Sequence, residues 1–475
     1  MSEPLCTIMR ALGDPELFQP LFKAPSWDRW KVFLSALFGL PLDKKALEVF
    51  RHHTERTTAP TSPFREAALV CGRRSGKSRM LALIAVYLAC FRDYSEYLAP
   101  GETPIVAIIA ADRKQARVIL RYIVGLLRNI KLLAPLIDME YADSVRLTNG
   151  VTIEVHTGSI ASPRGRPFIA VLADEIAFWS AEGTANPDTE VISAVRPGLL
   201  SIPGSMLLLA SSPYSKRGVL WETYRHYFGR DDARTLVWRA ATLEMNPSAD
   251  ADQIAEEYEA DEEAASAEYG GQFRSDLASF IDAEVVRSLV IPSRFELPAL
   301  AVVEYRAFVD PSGGAGDSMT LAIAHRDSEG NGILDAIRER RPPFSPESVV
   351  KEFADTLRSY RISRVTGDYY GGEWPGERFA AHQISYDRAD KNVSQIYGEL
   401  LPLLNSAQVE LLDNNRLTSQ LVSLERRTGR VGRDTISHPP GGHDDVANSV
   451  AGVLVQVAGR LSAGERLNRF LGELT

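Results

Sequence analysis

A glycine-rich, basic stretch, VCGRRSGKSRM at 70–80, contains the residue types that hold a phosphate. In the pattern G-x-x-x-x-G-K-[ST], backbone N–H groups surround the phosphates, the lysine reaches the β and γ oxygens, and the hydroxyl binds Mg²⁺. Lys77 and Ser78 fit its last two positions, whereas Cys71 stands where the first glycine is expected. The residues predicted to bind phosphate are Gly72, Arg73, Arg74, Ser75, Gly76, Lys77 and Ser78.

The segments on either side of this loop favour the same interpretation. REAALV at 65–70 predicts a short apolar strand before the loop, and MLALIAVYLACF at 80–91 predicts a helix after it. A helix N-terminus offers free N–H groups and a partial positive charge, so a strand, loop and helix in this order suit an anion. A basic turn that contains GKS by chance is the weaker alternative.

Two adjacent carboxylates, Asp174 and Glu175, end the apolar run FIAVLADE at 168–175. Carboxylates at the end of a buried strand are costly unless they hold a cation, and a nucleotide site supplies one. We expect Asp174 to hold Mg²⁺ and Glu175 to activate the attacking water. A helix N-cap pair that follows a core strand is the alternative.

Hydroxyls and arginines extend this candidate site. The next strand, SMLLLASSP at 205–213, ends in Ser211 and Ser212. These hydroxyls can hydrogen-bond the γ-phosphate region, although Ser-Ser-Pro also forms simple turns. An arginine near the γ-phosphate, from the same or a neighbouring subunit, stabilises the charge of phosphoryl transfer. The candidates for that role are Arg73, Arg74, Arg164 and Arg166.

The last third of the chain places aspartates at the edges of apolar elements. VEYRAFVDPSGGAGDSMTLAIAHRD at 303–327 predicts a hairpin whose first strand ends in Asp310. Asp368 follows another short strand, and Asp444 and Asp445 open a helix. Three acidic positions of this kind can hold two divalent ions about 4 Å apart for in-line phosphodiester cleavage. Each aspartate alone is also an ordinary turn or cap residue.

Composition limits the classes of protein that fit. The chain has 475 residues, 45% hydrophobic and 24% charged, which predicts two or three globular domains. Its net charge of -9 argues against a generally basic nucleic-acid binder but allows a local basic surface. The three cysteines have no metal-like or disulfide-like spacing, which favours a reducing compartment. We identify no signal peptide, and the most apolar helix is too short to span a bilayer.

The alternation of strands and helices predicts the domain organisation. Apolar strands alternate with helices from about 65 to 240, which indicates a mainly parallel sheet covered on both faces. An acidic, alanine-rich helix follows, and a second alternating block begins near 301. We therefore expect a helical extension at 1–60, an α/β domain at 61–248, a helical subdomain and linker at 249–298, and a second α/β domain at 299–475.

In combination, GRRSGKS, the apolar-ADE run, SSP, the DPSGG hairpin, the GD pair and PGGHDDxAN resemble the large terminase subunit of tailed bacteriophages over about residues 60–460. The resemblance implies a P-loop ATPase domain with a mainly parallel sheet, followed by a ribonuclease H-like α/β nuclease domain. It implies ATP hydrolysis that drives double-stranded DNA into a procapsid, and two-metal cleavage of the concatemer. The implied cofactors are ATP and Mg²⁺ or Mn²⁺ in both sites. Terminase P-loops commonly begin with a small residue before GRRSGKS, so Cys71 resembles a variant.

The resemblance also implies roles for individual residues. In the ATPase site these are Lys77 and Ser78 of Walker A, Asp174 and Glu175 of Walker B, and Ser211 and Ser212 of the coupling motif. Arg164 resembles the arginine that some terminases offer to the ATP of an adjacent subunit. The implied nuclease metal ligands are Asp310, Asp368 and one of Asp444 and Asp445. Asp317 and His443 are second-rank metal or substrate contacts.

Partners and location follow from the resemblance as well. It implies a portal protein of the procapsid, a small terminase subunit and a homo-oligomeric ring on the portal, in the host cytoplasm and absent from the mature virion, with no membrane. Two other interpretations are a DNA-repair helicase-nuclease, which needs a second RecA-like core, and a non-catalytic assembly subunit, which needs broken motifs. Residues 1–60, with SWDRWKVF, match no motif; they would cap the adenine or contact another protein.

Overall fold

The structure is a computed structural model that describes residues 4–158, 165–179, 187–368, 374–428 and 434–458. Within these ranges the chain forms two compact units, the first ending at Ser275 and the second beginning at Asp276. That boundary falls inside the segment 249–298. In the same ranges, no helix has both the length and the apolarity that crossing a membrane requires.

The first unit is an α/β unit. Its strands are β1 (Glu66–Cys71), β2 (Ile105–Ala110), β3 (Ile137–Glu140), β4 (Ser144–Leu147), β5 (Thr152–Thr157), β6 (Phe168–Asp174), β7 (Met206–Ser211) and β8 (Thr235–Ala240). Its helices are α1 (Ile8–Gly13), α2 (Gln19–Phe22), α3 (Asp28–Leu37), α4 (Lys44–Thr54), α5 (Lys77–Cys90), α6 (Arg113–Asn129), α7 (Pro187–Val195), α8 (Gly218–Tyr227), α9 (Thr242–Met245), α10 (Ala251–Ala260) and α11 (Glu262–Glu268).

These strands form one sheet in the order β3-β4-β5-β2-β6-β7-β1-β8. From β5 to β8 every neighbouring pair is parallel, which confirms the predicted mainly parallel sheet. Strands β2 and β7 are buried at every residue because helices cover both faces. The antiparallel strands β3 and β4 escaped prediction, since each has only four residues and neither has a continuous apolar run.

The strand order brings the motifs of the first unit to one edge of the sheet. Parallel strands point their carboxyl ends the same way, and sites in such sheets lie outside those ends. Strand β1 leads into the glycine-rich loop, β6 ends in Asp174, and β7, which lies between them, ends in Ser211. The topology therefore collects three motifs that are far apart in sequence.

Two helical predictions change in detail. Helix α5 begins at Lys77 and not at residue 80, because Gly76 in the left-handed region (φ 101°) starts it directly after the loop. The acidic stretch at 249–270 forms two helices, α10 and α11, instead of one. They separate at Asp261, whose extended backbone ends α10 and whose carboxylate accepts the Ala264 N–H at the start of α11.

The second unit is also α/β. Its strands are β9 (Leu277–Ser279), β10 (Tyr305–Asp310), β11 (Met319–Arg326), β12 (Gly332–Arg340), β13 (Arg364–Gly367), β14 (Ser385–Arg388), β15 (Val409–Glu410), β16 (Glu425–Thr428) and β17 (Asp434–Ser437). Its helices are α12 (Ala283–Leu289), α13 (Pro346–Ser359), α14 (Trp374–Ala381), α15 (Val393–Asn405), α16 (Asn415–Ser423) and α17 (Asp445–Val457).

The main sheet of this unit has the order β14-β13-β10-β11-β12-β15. Strands β10, β11 and β12 are antiparallel neighbours, whereas β13 and β14 continue from β10 in parallel. The predicted hairpin at 303–327 is thus β10 and β11. Strands β17, β16 and β9 form a separate small sheet. The second unit is thus a mixed α/β unit, and the predicted α/β fold class is confirmed.

Helix α17 packs closely on β10 through a glycine. A Cβ atom at Gly452 would lie 2.4 Å from the ring of Phe308, which is almost fully buried. Asp445, at the start of the same helix, takes its place from this contact between α17 and the sheet. The helix therefore needs a residue without a side chain at this position.

We predict that Gly452→Ala destabilises the protein by about 1–3 kcal/mol, because the new methyl group overpacks the core against Phe308. Gly398 in α15 is the matched control, since a Cβ there meets nothing within 4 Å. Gly398→Ala should stabilise the protein by about 0.4–1 kcal/mol through lower chain entropy in the unfolded state. Urea unfolding of both variants measures the difference. Equal effects in the same direction would contradict the packing argument.

Candidate functional site

The glycine-rich loop of the first unit is held from outside by three side chains. The indole Nε1 of Trp30 donates to the Ser75 carbonyl at 2.9 Å. Thr242 and Asn246 donate to the carbonyls of the two arginines in the loop, at 2.7 and 2.9 Å. These bonds fix the loop conformation before any ligand contributes.

Position 72 of this loop has no room for a side chain and therefore requires glycine. A Cβ at Gly72 would lie 2.3 Å from Thr242 Oγ1 and 2.5 Å from the Tyr269 carbonyl oxygen. Cys71 is the last residue of β1 and is fully buried. Burial raises the pKa of its thiol to about 12, so it behaves as a small inert side chain. The shift of the glycine by one place is therefore compatible with a P-loop.

The side chain of Lys77 folds back onto the start of the loop. Its side chain is 4% exposed, and its Nζ donates to the carbonyls of Cys71 at 2.8 Å and Gly72 at 3.1 Å. The same Nζ lies 3.7 Å from Glu175 Oε1. The structure thus brings the predicted phosphate-binding lysine and the predicted catalytic glutamate together.

Asp174 has the character of a metal ligand. Its Oδ2 accepts a hydrogen bond from Ser78 Oγ at 3.2 Å, whereas its buried Oδ1 has no hydrogen-bond partner among the described residues. Burial, and then the charge of Glu175, raise its pKa to about 7, and Lys77 opposes that shift. A carboxylate oxygen left unpaired beside a hydroxyl is a donor set that fits Mg²⁺. The predicted Mg²⁺ role therefore fits this geometry.

Glu175 is held by the end of the neighbouring strand β7. Its Oε2 accepts the Ser211 hydroxyl at 3.0 Å and the Ser212 backbone N–H at 3.2 Å. Its backbone lies in the left-handed region (φ 48°), which is unusual for a glutamate. The two serines were predicted to contact the γ-phosphate region; in this structure they position Glu175, and the phosphate contact stays a prediction.

The four candidate arginines have different surroundings. Arg73 pairs with Glu268 at 2.6 Å, and Arg74 is exposed in the loop. Arg166 pairs with Glu154 of β5 at 2.5 Å. Strand β5 lies four strand spacings from β1, about 19 Å, so this pair holds Arg166 away from the loop of the same chain. Arg164 lies outside the described residues.

The second unit brings its candidate aspartates together at two strand ends and one helix start. Asp310 ends β10, and Asp368 directly follows the adjacent parallel strand β13. Asp444 is the N-cap of α17, and Asp445 is its first residue. Asn448, one turn later, donates from Nδ2 to Asp368 Oδ2 at 2.5 Å. The first turn of the helix thus lies beside both strand ends, since Asn448 also bonds to Asp310.

The four aspartates of this cluster lie close to one another, and their pKa values are raised. Burial, and then the charge of Asp368, raise the pKa of Asp310 well above its usual range. The pKa values of Asp368 and Asp444 are raised chiefly by burial, and that of Asp445 is raised to about 6 by burial and by neighbouring aspartates. A divalent cation relieves such repulsion, and carboxylate oxygens suit Mg²⁺ or Mn²⁺.

Asp444 and Asp445 have different neighbours. The hydroxyl of Tyr397 donates to Asp444 Oδ2 at 3.0 Å. One oxygen of Asp445, one oxygen of Asp317 and one nitrogen of His443 lie within 4.8 Å of one another, a spacing that could hold a metal ion. The buried Oδ2 of Asp445 has no hydrogen-bond partner in the described part of the chain. Asp445 therefore has the freer carboxylate, and Asp317 and His443 lie beside it.

Comparison with protein-family models gives no match, and neither does comparison with curated proteins. Among solved structures, the chain resembles the large terminase of bacteriophage HK97 at 14% identity and a TM-score of 0.38, over 90% of this chain and 99% of that one. The large terminase of a thermophilic bacteriophage matches at 13% identity and a TM-score of 0.38, over 88% and 100%. The large terminase nuclease of thermophilic phage G20c matches at 16% identity and a TM-score of 0.33, over 38% and 99%. Most aligned residues differ, so individual roles rest on the geometry described above.

Several supporting residues were missed from the sequence. Asn448 had a local signal, because a residue four places after an N-cap aspartate lies on the same helix face. Trp30, Thr242 and Tyr397 had none. They meet the sites only through packing between elements that are remote in sequence, and an isolated tryptophan, threonine or tyrosine carries no motif.

We predict that Mg²⁺ or Mn²⁺ raises the thermal stability of the full chain in the absence of nucleotide. A ligand that binds only the folded state at 100 times its Kd stabilises it by about 2.7 kcal/mol. Asp310→Asn should raise the metal-free melting temperature, because a neutral amide replaces a carboxyl group whose charged form is disfavoured by burial and by Asp368. It should also abolish the metal-dependent increase. Asp390→Asn, at an exposed site, is the control and should behave as the wild type. Unchanged metal-dependent stabilisation in Asp310→Asn would place the ions elsewhere.

Proposed function

We propose that this chain is a viral DNA-packaging motor of the large terminase type. It hydrolyses ATP to move double-stranded DNA into a procapsid and cleaves concatemeric DNA by metal-dependent phosphodiester hydrolysis. The observation that carries the proposal is the joint presence of two complete sets of chemical groups in one chain. A phosphate loop faces a carboxylate pair in the first unit, and four aspartates converge in the second.

In ATP hydrolysis, one set of groups would bind the phosphates and Mg²⁺, and a separate group would activate the attacking water. Lys77 and the loop N–H groups would hold the phosphates, and Ser78 and Asp174 would hold Mg²⁺, which neutralises charge on the phosphates when bound. Glu175 would take the proton of the attacking water. In the present arrangement Glu175 lies beside the Lys77 ammonium. Movement of that ammonium toward a phosphate would free the carboxylate to act as a base.

The hydrogen bonds of Glu175 offer a route from chemistry to movement. Ser211 and Ser212 at the end of β7 hold its carboxylate. A change in the position of Glu175 during hydrolysis would therefore reach β7 directly. Arg164, or another arginine of a neighbouring subunit, would complete the site in an assembled ring.

DNA cleavage would use the second unit. Asp310, Asp368 and Asp445 would hold two divalent ions, which when bound activate water and stabilise the leaving oxygen. Asp444 would serve as a ligand or orient the helix start through Tyr397. Asp317 and His443 would contact metal or substrate at the outer side. Asn448, through its bond to Asp368, keeps one carboxylate oriented.

The same proposal includes the partners of a packaging motor. These are double-stranded DNA, the portal protein of the procapsid, a small terminase subunit and further copies of this chain in a ring. The second unit carries a mixed sheet with aspartates, where a helicase-nuclease would have a second RecA-like core. The intact loop and carboxylates likewise disfavour a non-catalytic assembly subunit.

For the motor, we predict that Lys77→Ala loses ATP hydrolysis and packaging, because the phosphates lose their main cation. Glu175→Gln should still bind ATP but lose about 10²–10⁴-fold in turnover, the usual contribution of a general base. Nucleotide binding, phosphate release and protection of linear duplex DNA in purified proheads are the measurements. Glu222→Gln, on the exposed part of α8, is the control. Normal hydrolysis by Glu175→Gln would remove the assignment of the base.

For the nuclease, we predict that Asp310→Asn abolishes cleavage of duplex DNA in Mg²⁺ or Mn²⁺ while ATP hydrolysis stays within about twofold of the wild type, since the group touches only the metal-dependent step. Asp390→Asn should cut normally. Little sequence preference is expected, because the stretch 425–434 supplies arginines for backbone contacts and no evident base-reading element. Undiminished cutting in EDTA would defeat the two-metal assignment.

A further inference from the structure

A cluster of metal-binding side chains lies in the first unit, apart from the Mg²⁺ ligands described above. His52 and His53 are near the C-terminal end of α4, and Glu244 is in α9. One nitrogen of each histidine and one oxygen of the glutamate lie within 4.8 Å of one another. None of the three takes part in the chemistry assigned to either site.

The state of His53 is the most informative feature of this cluster. Its ring is 1% exposed and stacks on Trp238, with centroids 4.7 Å apart and an interplanar angle of 27°. Its Nδ1 lies 2.8 Å from the Arg239 carbonyl oxygen, which can only accept, so Nδ1 carries the proton. Its buried Nε2 is left without a hydrogen-bond partner among the residues that the structure describes.

This arrangement is the one that a metal-ligating imidazole usually has. The ring N–H donates to a carbonyl, which fixes the tautomer and leaves the other nitrogen with a free lone pair. A buried lone pair without a donor is unfavourable, and a cation would satisfy it.

The other two members of the cluster are accessible and already aligned. His52 Nε2 lies 2.6 Å from Glu244 Oε1, and Glu244 Oε2 accepts the Ala241 N–H at 2.7 Å. The side chains of His52 and Glu244 are 64% and 31% exposed, so solvent can reach this side of the cluster. A metal ion could take the place of the proton between them, with water as a further ligand.

We propose that His52, His53 and Glu244 form a binding site for a transition metal ion of the Zn²⁺ class. Two imidazoles and one carboxylate are a donor set typical of Zn²⁺, whereas Mg²⁺ prefers oxygen ligands. One opposing charge is present, because the Arg29 guanidinium donates to the Glu244 backbone carbonyl and would weaken binding of a cation. The Glu244 carboxylate offsets that charge, so binding should depend on it strongly.

The site has a structural consequence for the phosphate loop. Helix α9 begins with Thr242, whose hydroxyl donates to the Arg73 carbonyl in the loop. A metal shared by α4 and α9 would tie the N-terminal helices to the element that supports the loop. The ion would therefore stabilise the first unit without touching nucleotide.

The test uses the full chain after treatment with a chelator, in excess Mg²⁺ so that sites built from carboxylates alone are filled. Bound Zn²⁺ is measured by equilibrium dialysis with metal analysis, and Co²⁺ is added separately to record its ligand-field absorption. The variants are His52→Ala, Glu244→Gln and His53→Gln. His226→Ala, at an exposed histidine that also lies beside a glutamate, is the matched control.

We expect the wild type and His226→Ala to bind one equivalent of Zn²⁺ more than His52→Ala, with a higher melting temperature in Zn²⁺. Glu244→Gln should lower the affinity at least tenfold. If His53→Gln fails to fold, the two accessible positions decide the outcome. His443→Ala separates this site from the Asp317, His443 and Asp445 group. Loss of Zn²⁺ in His443→Ala together with undiminished Zn²⁺ in His52→Ala would overturn the proposal. So would equal Zn²⁺ binding by wild type and His52→Ala, whatever the ATPase and nuclease assays give.

Discussion

Crowding of carboxylates at the ends of buried strands is the constraint that shapes both units. Asp174 ends one such strand and Glu175 follows it. Asp310 ends another, and Asp368 directly follows the adjacent parallel strand. Parallel strands direct these groups to one edge, where burial and nearby like charges raise the pKa values of Asp174, Asp310 and Asp368. Lys77, Ser78 and Ser211 compensate in part in the first unit. Asn448 and Tyr397 do so in the second. Cations or ligands must provide the rest, which is why both sites are suited to metal-assisted phosphate chemistry.

The first unit shows how one ammonium can serve two groups. Lys77 donates to carbonyls of its own loop and lies beside Glu175, so one ammonium both stabilises the loop and partly neutralises that carboxylate. Ser211 donates to the other oxygen of the same carboxylate. The lysine proposed to bind phosphate, the glutamate proposed to activate water and the end of the neighbouring strand are therefore connected by direct contacts. Under the proposed function, a change at Glu175 would reach β7 through these contacts.

The sequence was sufficient for the fold class and for placing most candidate carboxylates at element ends, for a physical reason. Polar groups at strand ends have local signatures, because an apolar run followed by Asp174 or Asp310 is visible without knowledge of the fold. The pairing of His52 and His53 with Glu244 was not foreseen, since it depends on the packing of α4 beside β8. Strands β3 and β4 were missed because they are short and polar. The bonds of Ser211 to Glu175 also required the strand order, which no local pattern specifies.

The N-terminal helices pack directly against the glycine-rich loop, although their sequence contains no recognised motif. Trp30 and Phe33 are fully buried in the same core as β1 and α5, and Trp30 also bonds to the Ser75 carbonyl. A Cβ at Gly76 would approach the rings of Trp27 and Trp30 at 3.2–3.3 Å. The two rings therefore pack directly against the loop at this glycine. A segment that was expected to cap the adenine or bind another protein is thus part of the support of the phosphate loop. The loop is held by this support, whereas Cys71 is a fully buried strand residue that makes no hydrogen bond with the supporting side chains named here.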